Sequence, residues 1–420
     1  RLDLDYITAE SSDAYDRTKV RLGEMFQSVS LIRQMLEKIP EGGAFHTRLP
    51  NPLHWKVPPG ETYRRAECTR GEYGYYAVGD GSAYPRRIYV RGPSYTHAVA
   101  LMERRTYMQC FPIVCRISVP EPDFNEYLFA ATVEELAGIE MPEKADWLRT
   151  LSLEMIRLAS FLQWVGGQAG AFGFGTIGQW GIANRDYILD LFEELTGGRI
   201  YHMFIIPGGV RGDLPAGFRG RVRAVMDRIE ELLRDIERAL LHNAVFKRRA
   251  VGLGVITDDM MDHYGVTGPN ARAGGIERDI RLDQPYLMYD RLDLDYITAE
   301  SSDAYDRTRV RLGEMFQSVS LIRQMLEKIP EGGAFHTRLP NPLHWKVPPG
   351  ETYRRAECTR GEYGYYAVGD GSAYPRRIYV RGPSYTHAVA LMEQLALGVN
   401  VADIAGLMTS LHTYPPEIER

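Results

Sequence analysis

Residues 143–165 read Glu-Lys-Ala-Asp-Trp-Leu-Arg-Thr-Leu-Ser-Leu-Glu-Met-Ile-Arg-Leu-Ala-Ser-Phe-Leu-Gln-Trp-Val. Leu148, Leu151, Met155, Leu158, Leu162 and Val165 recur at helical spacing, which predicts a long helix with an apolar stripe facing a core. Shorter helical patterns lie around it, over Glu126–Ala137, Arg185–Leu195 and Pro215–Leu241. Residues 166–181 are rich in glycine and aromatic residues and read as a loop packed close to other backbone. Residues 252–280 read largely as loop, punctuated by Gly265, Gly268-Pro269 and Gly274-Gly275.

Further along, Val310, Leu312, Met315, Phe316, Val319, Ile322, Met325 and Leu326 mark another helix, ended by Pro330 and Gly332-Gly333. A loop with Leu339-Pro340-Asn341-Pro342 and Pro348-Pro349-Gly350 follows. Tyr363–Val368 and Arg377–Arg381 then read as a hairpin turning through Asp370-Gly371. Leu391, Leu395, Val399, Ile404, Leu407 and Met408 give a last helical pattern. The expected class is α+β: a central helical bundle with a small antiparallel sheet.

Residues 1–103 recur at 291–393, with Lys19 against Arg309 as the only difference. The copies part abruptly after Glu103 and Glu393. Solenoid repeats are short and drift in sequence, so one long, near-perfect copy points to a recent duplication or to an error in assembling the gene sequence. Three parts are expected: 1–103, a partial duplicate of the C-terminal module; 104–290, a helical core; and 291–420, the module of helix, hairpin and helix.

Charged residues make up 25% and apolar residues 44%, the balance of a soluble globular protein. A net charge of −5 leaves no basic footprint for nucleic acid. No apolar run approaches the ~20 residues of a membrane span, so any membrane link is expected to run through partner subunits. The chain starts at Arg1 rather than Met, and its true beginning is expected to lie upstream. Cys68 and Cys358 are copies of one position, and so few cysteines argue for a reducing compartment. Cys110 and Cys115 lack the C-x-x-C spacing of metal ligands and read as two half-buried thiols in a strand-like segment.

Several segments carry a further signal. They are Arg105-Thr106-Tyr107-Met108-Gln109; Pro142-Glu143 ahead of Arg149, Glu154 and Arg157; and Leu189-Asp190-Leu191-Phe192-Glu193-Glu194-Leu195-Thr196-Gly197. Gly208-Gly209-Val210-Arg211-Gly212-Asp213-Leu214-Pro215 and Tyr264-Gly265-Val266-Thr267-Gly268-Pro269-Asn270-Ala271-Arg272-Ala273-Gly274-Gly275 follow. Arg360-Gly361-Glu362 and Val380-Arg381-Gly382-Pro383-Ser384 complete the set. In this order they make the chain resemble the D subunit of NADH–quinone oxidoreductase, the complex I-like 49-kDa subunit family, which includes the D subunit of archaeal F(420)H(2) dehydrogenase. The resemblance covers 104–420, and 1–103 by repetition. Taken singly, Gly268-Pro269 reads as a turn, the charges of Arg360 and Glu362 as a surface or interface pair, and Arg272 as meeting a partner's carboxylate ahead of a free anion.

The resemblance implies the fold of the nickel–iron hydrogenase large subunit without its metal. It implies no flavin, nicotinamide or metal on this chain. Electrons would arrive from an iron–sulfur cluster on the neighbouring B subunit and reduce a quinone-type acceptor where the two chains meet, with NAD used by the complex. The iron–sulfur B subunit, the C subunit and the membrane subunits are the implied partners. The implied place is peripheral, on the cytoplasmic side of the cell membrane. The copy that follows Asp290 stands in the family's order and continues into the amphipathic segment 394–411, so it is the one expected to dock. The first copy's helix face, Val20, Leu22, Met25, Phe26, Val29 and Ile32, is expected to lack an evolved partner.

Quinone reduction needs a proton source, for which His or Tyr is suited, and an acid beside a His sets its charge. Here the sequence departs from the family. The G-P-Q-H-P-like His loop and the H-R-G segment before R-T-Y-x-Q are absent, and the copied module stands in their place. The family's quinone-facing Tyr falls near Val119, and the Asp that backs the His falls near Ala171. The usual S-H-L-x-W reads Ser160-Phe161-Leu162-Gln163-Trp164. The acceptor site is expected near 166–178 and the C-terminal tail, with Val119, Gln168, Ala171, Phe172, His412, Tyr414 and Arg420 as pocket residues and no catalytic residue named. Three functions stay open: a quinone-reducing subunit of a proton-translocating NADH–quinone oxidoreductase-like complex, an F(420)H(2) dehydrogenase subunit reducing methanophenazine, and a truncated non-catalytic scaffold. A hydrogenase large subunit is set aside, because Ser410-Leu411-His412-Thr413-Tyr414-Pro415-Pro416 offers no thiolate for nickel.

Overall fold

The computed structural model describes residues 2–420 apart from 12, 41, 43–55, 57, 69–70, 82–84, 92–101, 104, 340–344, 415–416 and 418–420. Two compact units divide the chain, Arg1–Lys56 and Val57–Arg420. The first holds α1 (Ala14–Lys38), begun by the Asp13 side chain accepting from the Asp16 amide. An extended stretch runs along this helix. Gln34 accepts from the Asp3 amide at 2.8 Å, Gln27 donates to the Asp5 carbonyl at 2.8 Å, and Ile7 fills the space beside Gly23.

The second unit opens with an antiparallel sheet of β1 (Gly60–Cys68), β2 (Gly71–Gly79) and β3 (Pro85–Arg91). Helices α2 (Tyr107–Val114), α3 (Pro122–Ala137), α4 (Glu143–Ala171) and α5 (Gly175–Thr196) follow. The two-residue strands β4 (Ile205–Ile206) and β5 (Gly209–Val210) pair as a tight hairpin ahead of α6 (Phe218–Ile236). Next come the short helices α7 (Ala244–Ala250), α8 (Asp258–Tyr264), α9 (Pro269–Arg272) and α10 (Ile280–Asp283), then α11 (Ala304–Lys328). A second sheet, β6 (Gly350–Cys358), β7 (Gly361–Gly369) and β8 (Arg377–Arg381), precedes α12 (Ser384–Thr386), α13 (Met392–Leu395) and α14 (Val401–Leu411).

The predicted stripe of Leu148, Leu151, Met155, Leu158, Leu162 and Val165 is buried, and α4 packs on α5, α11 and α14. The second sheet lies on α3 through β6 and β7. Each buried Leu, Ile, Val or Met side chain contributes about 1.5–3 kcal/mol relative to exposure, so the bundle forms around these stripes. The architecture is the expected α+β class: helices around a core, with small antiparallel sheets.

Helix α11 repeats α1 residue for residue apart from Arg309 at the place of Lys19, including its Asp303 cap and the contacts Gln324–Asp293, Gln317–Asp295 and Ile297 against Gly313. Its surroundings differ. Met315, Val319, Ile322 and Met325 are buried, while Met25, Phe26, Val29 and Ile32 are exposed.

Several expectations need correction. Residues 166–181 are helical except around Phe172–Phe174, because here the glycines serve a helix–helix crossing. A Cβ on Gly181 would come within 2.5 Å of the Leu162 carbonyl, and one on Gly178 within 2.9 Å of that of Gly166. The segment expected to be strand-like at Cys110 and Cys115 is α2, started by a reciprocal cap between Thr106 and Gln109. Both thiols are buried rather than half-buried, and burial pushes each up to about 12. The hairpin gains a third strand, β6, whose residues pair with all of β7. The loop 252–280 contains α8 and α9. Pro340-Asn341-Pro342 lie outside the described residues.

Candidate functional site

The glycine crossing brings the C-terminal half of α4 close to α5 and leaves one α4 face for α14. Phe161, Trp164, Gln168 and Phe172 share that face at spacings of three and four. The Trp164 indole donates to the Thr409 carbonyl at 2.7 Å, and Thr409 Oγ1 donates to Gln168 Oε1 at 2.6 Å. Gln168 Nε2 donates to Thr308 of α11 at 3.2 Å, so its amide ties three helices together. Phe172 packs on Phe246 at 5.0 Å and fills the space left by Gly406. The Arg249 guanidinium lies over the same ring and donates to the Phe172 carbonyl at 3.0 Å.

His412 ends α14 in the left-handed region (φ 53°), which turns its ring back onto α4. Its centroid is 5.9 Å from Trp164 and 6.2 Å from Phe161. The Nδ1 atom is buried and has no partner among the described residues, and the Thr359 backbone faces the ring. Burial, Arg311 and Arg360 together hold His412 well below the usual imidazole range. It is therefore neutral at pH 7, a hydrogen-bonding group rather than a stored proton. The Tyr414 phenol is raised by burial and meets the Val119 backbone. The Arg360 guanidinium sits 5.7 Å from the Tyr414 ring.

The structure thus joins Gln168, Phe172 and His412 along one face, and Val119 to Tyr414 beside Arg360. Ala171 is half-buried at the end of α4, and Arg420 lies outside the described residues. Cavities of 620, 230 and 200 Å³ are lined by Asp259, Met260 and Asp262–Tyr264, by Lys144, Asp213 and Arg219 with their neighbours, and by Glu237, Ile297, Arg309 and Phe316 with theirs, none of them candidate residues.

Sequence reasoning missed the charges around this face. Arg307 and Arg311 of α11 are buried, and neither makes an ion pair among the described residues. Arg307 donates to Ser410 Oγ at 2.8 Å and to the carbonyl of Gly254. Arg311 donates to the Ser410 carbonyl and to Asn270 Oδ1, each at 2.8 Å, and its guanidinium lies 5.1 Å from the Trp164 ring. Burial lowers both guanidiniums to about 9. His387, nearby, bonds Asn270 at 3.2 Å and is held at about 3 by burial and by Arg311.

Two readings of charged residues are overturned. Arg272 meets carboxylates of its own chain, Glu314 at 2.7 Å and Glu357 at 2.9 Å, rather than those of a partner. Arg360 is 1% exposed and bridges Glu121 and Glu417, so it is a core ion pair and not a surface one. A further buried cluster holds the 199–206 loop. His202 Nδ1 lies 2.7 Å from Asp123, and Glu126 accepts from the Met203 amide at 2.7 Å. Burial and then Asp123 push the Glu126 carboxyl up to about 8.

Residues 1–54, 52–115, 171–344 and 342–420 match the model of the respiratory-chain NADH dehydrogenase 49 kDa subunit. The chain belongs to this family, whose members are subunits of oxidoreductase complexes of the complex I type. The NADH-quinone oxidoreductase D subunit of Thermosipho melanesiensis is 40% identical over 322 residues, covering 76% of this chain and 88% of the relative. The F(420)H(2) dehydrogenase D subunit of Methanosarcina mazei is 38% identical over 324 residues, covering 76% and 86%. Among solved structures, a chain of the membrane-bound sulfane sulfur reductase, an archaeal respiratory membrane complex, superposes with a TM-score of 0.79 at 36% identity. That match covers 86% of this chain and 98% of the other.

Proposed function

We propose that this chain is the acceptor-reducing subunit of a complex I-like respiratory complex. It takes electrons from an iron–sulfur cluster on a neighbouring B subunit and delivers them to a lipid-soluble quinone-type acceptor. The acceptor site lies between the Phe161–Phe172 face of α4 and residues 409–414. The observation that carries this reading is His412: a buried, neutral imidazole packed against Trp164 and Phe161, whose Nδ1 has no partner among the described residues. A flat apolar ring carrying an oxygen suits such a place, stacked on aromatic faces and hydrogen-bonded at one edge. The B and C subunits and the membrane subunits would hold the chain peripherally at the cytoplasmic face; no described helix is long and apolar enough to cross a membrane. Within the chain, 104–290 and 291–420 would supply the working subunit. A photoreactive quinone analogue should label peptides containing 161–172 or 409–414 in the assembled complex. Labelling confined to other segments would contradict the assignment.

A second reading is favoured by one feature. Arg311, which makes no ion pair among the described residues, brings positive charge beside Trp164 and His412, which suits an anionic acceptor better than a neutral quinone. The similarity to a sulfane sulfur reductase chain points the same way. Turnover of the complex with quinone and with polysulfide as alternative acceptors separates the two.

A further inference from the structure

Seven ionisable side chains meet in the core between α4, α9, α10, α11 and β6. Glu154 pairs with Arg157 at 3.1 Å and with Arg281 at 3.3 Å. Arg281 pairs with Asp279 at 2.7 Å, and Asp279 lies 3.3 Å from Arg272. Arg272 closes the network onto Glu314 and Glu357. None of the seven side chains is more than 2% exposed. Four carboxyls share three guanidiniums in direct contact; the next cation, Arg311, acts on Glu314 from three residues along α11 without bonding it, so one carboxyl is left without a guanidinium of its own. An unmatched buried charge is costly, and the group neutralises instead by keeping its proton.

The four carboxyls are not equivalent. Glu154 accepts from Arg157, Arg281, Tyr289 at 2.7 Å and Ser318 at 2.7 Å. Asp279 takes both Nε and Nη2 of Arg281. Glu314 Oε1 takes Nε and Nη2 of Arg272, though its Oε2 has no partner among the described residues. Glu357 has one guanidinium bond, at 2.9 Å, and one long contact of 3.5 Å from the Ile280 amide. It also faces like charge. Asp279 lies across Arg272, and Glu362 stands opposite it in the β6–β7 register, its own carboxylate held by Arg355 and Arg381. Tyr286 accepts from the Glu357 amide and adds no charge.

We propose that this network is a proton-binding site, holding one exchangeable proton at neutral pH with Glu357 as its seat. The proton comes from water and returns to it; no electron moves and no bond other than O–H changes. Burial, opposed by Arg272 and reinforced by Asp279, puts the Glu357 carboxyl at about 7, so the proton is exchangeable in the physiological range. The site communicates with the tail. Glu314 and Arg311 stand three residues apart on α11, and Arg311 lies over Trp164 beside His412. Negative charge arriving near Arg311 would favour keeping the proton. The site holds whichever acceptor the complex uses, and even if the chain reduces none.

The test is infrared difference spectroscopy on the full 420-residue chain. A protonated carboxylic acid absorbs clear of the amide bands. Wild type at pH 5.5 should show a larger band of this kind than Glu357→Gln, and the excess should bleach with a midpoint near 7. Reading the difference between the two proteins removes the separate contributions of Glu126 and Asp146. Glutamine is an isostere of the protonated acid, so Glu357→Gln should melt with wild type at pH 5.5 and above it at pH 8.5. Glu154→Gln, which removes an ionised partner, should melt lower at both. A band of equal size in wild type and Glu357→Gln at pH 5.5, or a Glu357→Gln protein that unfolds at pH 5.5, would each overturn the proposal.

Discussion

Met25 and Met315 hold the same position in two copies of one 25-residue helix, yet Met25 is 64% exposed and Met315 is 0% exposed. Their local sequence, cap and flanking contacts match, so only the packing around them differs. The pair is an internal control for how much the core contributes. Met315→Ala should cost about 2–5 kcal/mol, the usual range for truncating a buried Met, and Met25→Ala should stay within about 0.5 kcal/mol. Urea unfolding of the two variants measures both. Equal effects would mean that the first copy is also packed.

The same contrast bears on the chain's division. Limited proteolysis should cut between 100 and 110, release the first copy and leave a stable 104–420 fragment. An unfolded remainder after removal of 1–103 would place the first copy in the core.

Arg360 is predicted to be among the costliest core charges to remove. Its truncation to Ala leaves Glu121 and Glu417 buried without their cation, and breaking such a pair costs about 3–5 kcal/mol. Arg360→Lys should recover only part of this, because an ammonium cannot reproduce the planar fork. A chemical-denaturation series measures it, and a neutral Arg360→Ala would be contrary to the structure.

Stability should fall as pH rises from about 5 to 8.5, the reverse of the usual carboxylate behaviour. Asp146, Glu357 and Glu126 are raised to about 6, 7 and 8, chiefly by burial. A carboxyl raised in the folded state stabilises fully below its unfolded value, and that contribution is lost as pH climbs through the folded one. His202, whose charged form Asp123 favours against burial, acts in the same direction, being raised from 6.5. At the acid end the sign reverses, because Asp279 and Glu154 are lowered and lose their contribution below their unfolded values. Melting temperature against pH should therefore peak on the acid side of neutrality. A plateau from 5 to 8.5 would mean these carboxyls are ionised throughout.

Gly181→Ala should separate α4 from α5. The added methyl meets the Leu162 carbonyl at 2.5 Å, which is backbone and cannot rotate away. Overpacking of this kind costs about 1–3 kcal/mol. Since Leu162 precedes Trp164 on the same helix, the site face should shift with it, and acceptor turnover should fall further than stability does.

The helices were legible because apolar residues at spacings of three and four mark a buried helical face and little else. Glycine misled at 166–181, where close approach of two helices uses the same residues as a loop. Strand β6 was hidden because Gly-Glu-Thr-Tyr-Arg-Arg-Ala-Glu-Cys reads as polar, with one face open at the sheet edge. The buried arginines were harder still. The carboxylates of Arg272 lie 42 and 85 residues away, and no local pattern pairs them. One clue lay in the sequence: Arg307, Arg311, Glu314 and Ser318 form a polar line at spacings of three and four, beside the apolar line of Leu312, Met315, Val319 and Ile322 on the same helix. The pairing of His412 with Trp164 could not be read at all, since it depends on the left-handed turn that ends α14.

Deleting 412–420 is a poor test of the acceptor site, because it would also remove Glu417 from Arg360 and Ser384. A single substitution is cleaner. His412→Gln in the assembled complex keeps the ring's volume in part and removes the imidazole Nδ1. The account predicts that electrons from the donor still reduce the neighbouring iron–sulfur cluster, read by electron paramagnetic resonance. Acceptor turnover should fall by roughly 100-fold, the order of losing an oriented hydrogen bond at a reacting centre. Unchanged turnover with a folded, fully assembled complex would contradict the placement of the acceptor at His412.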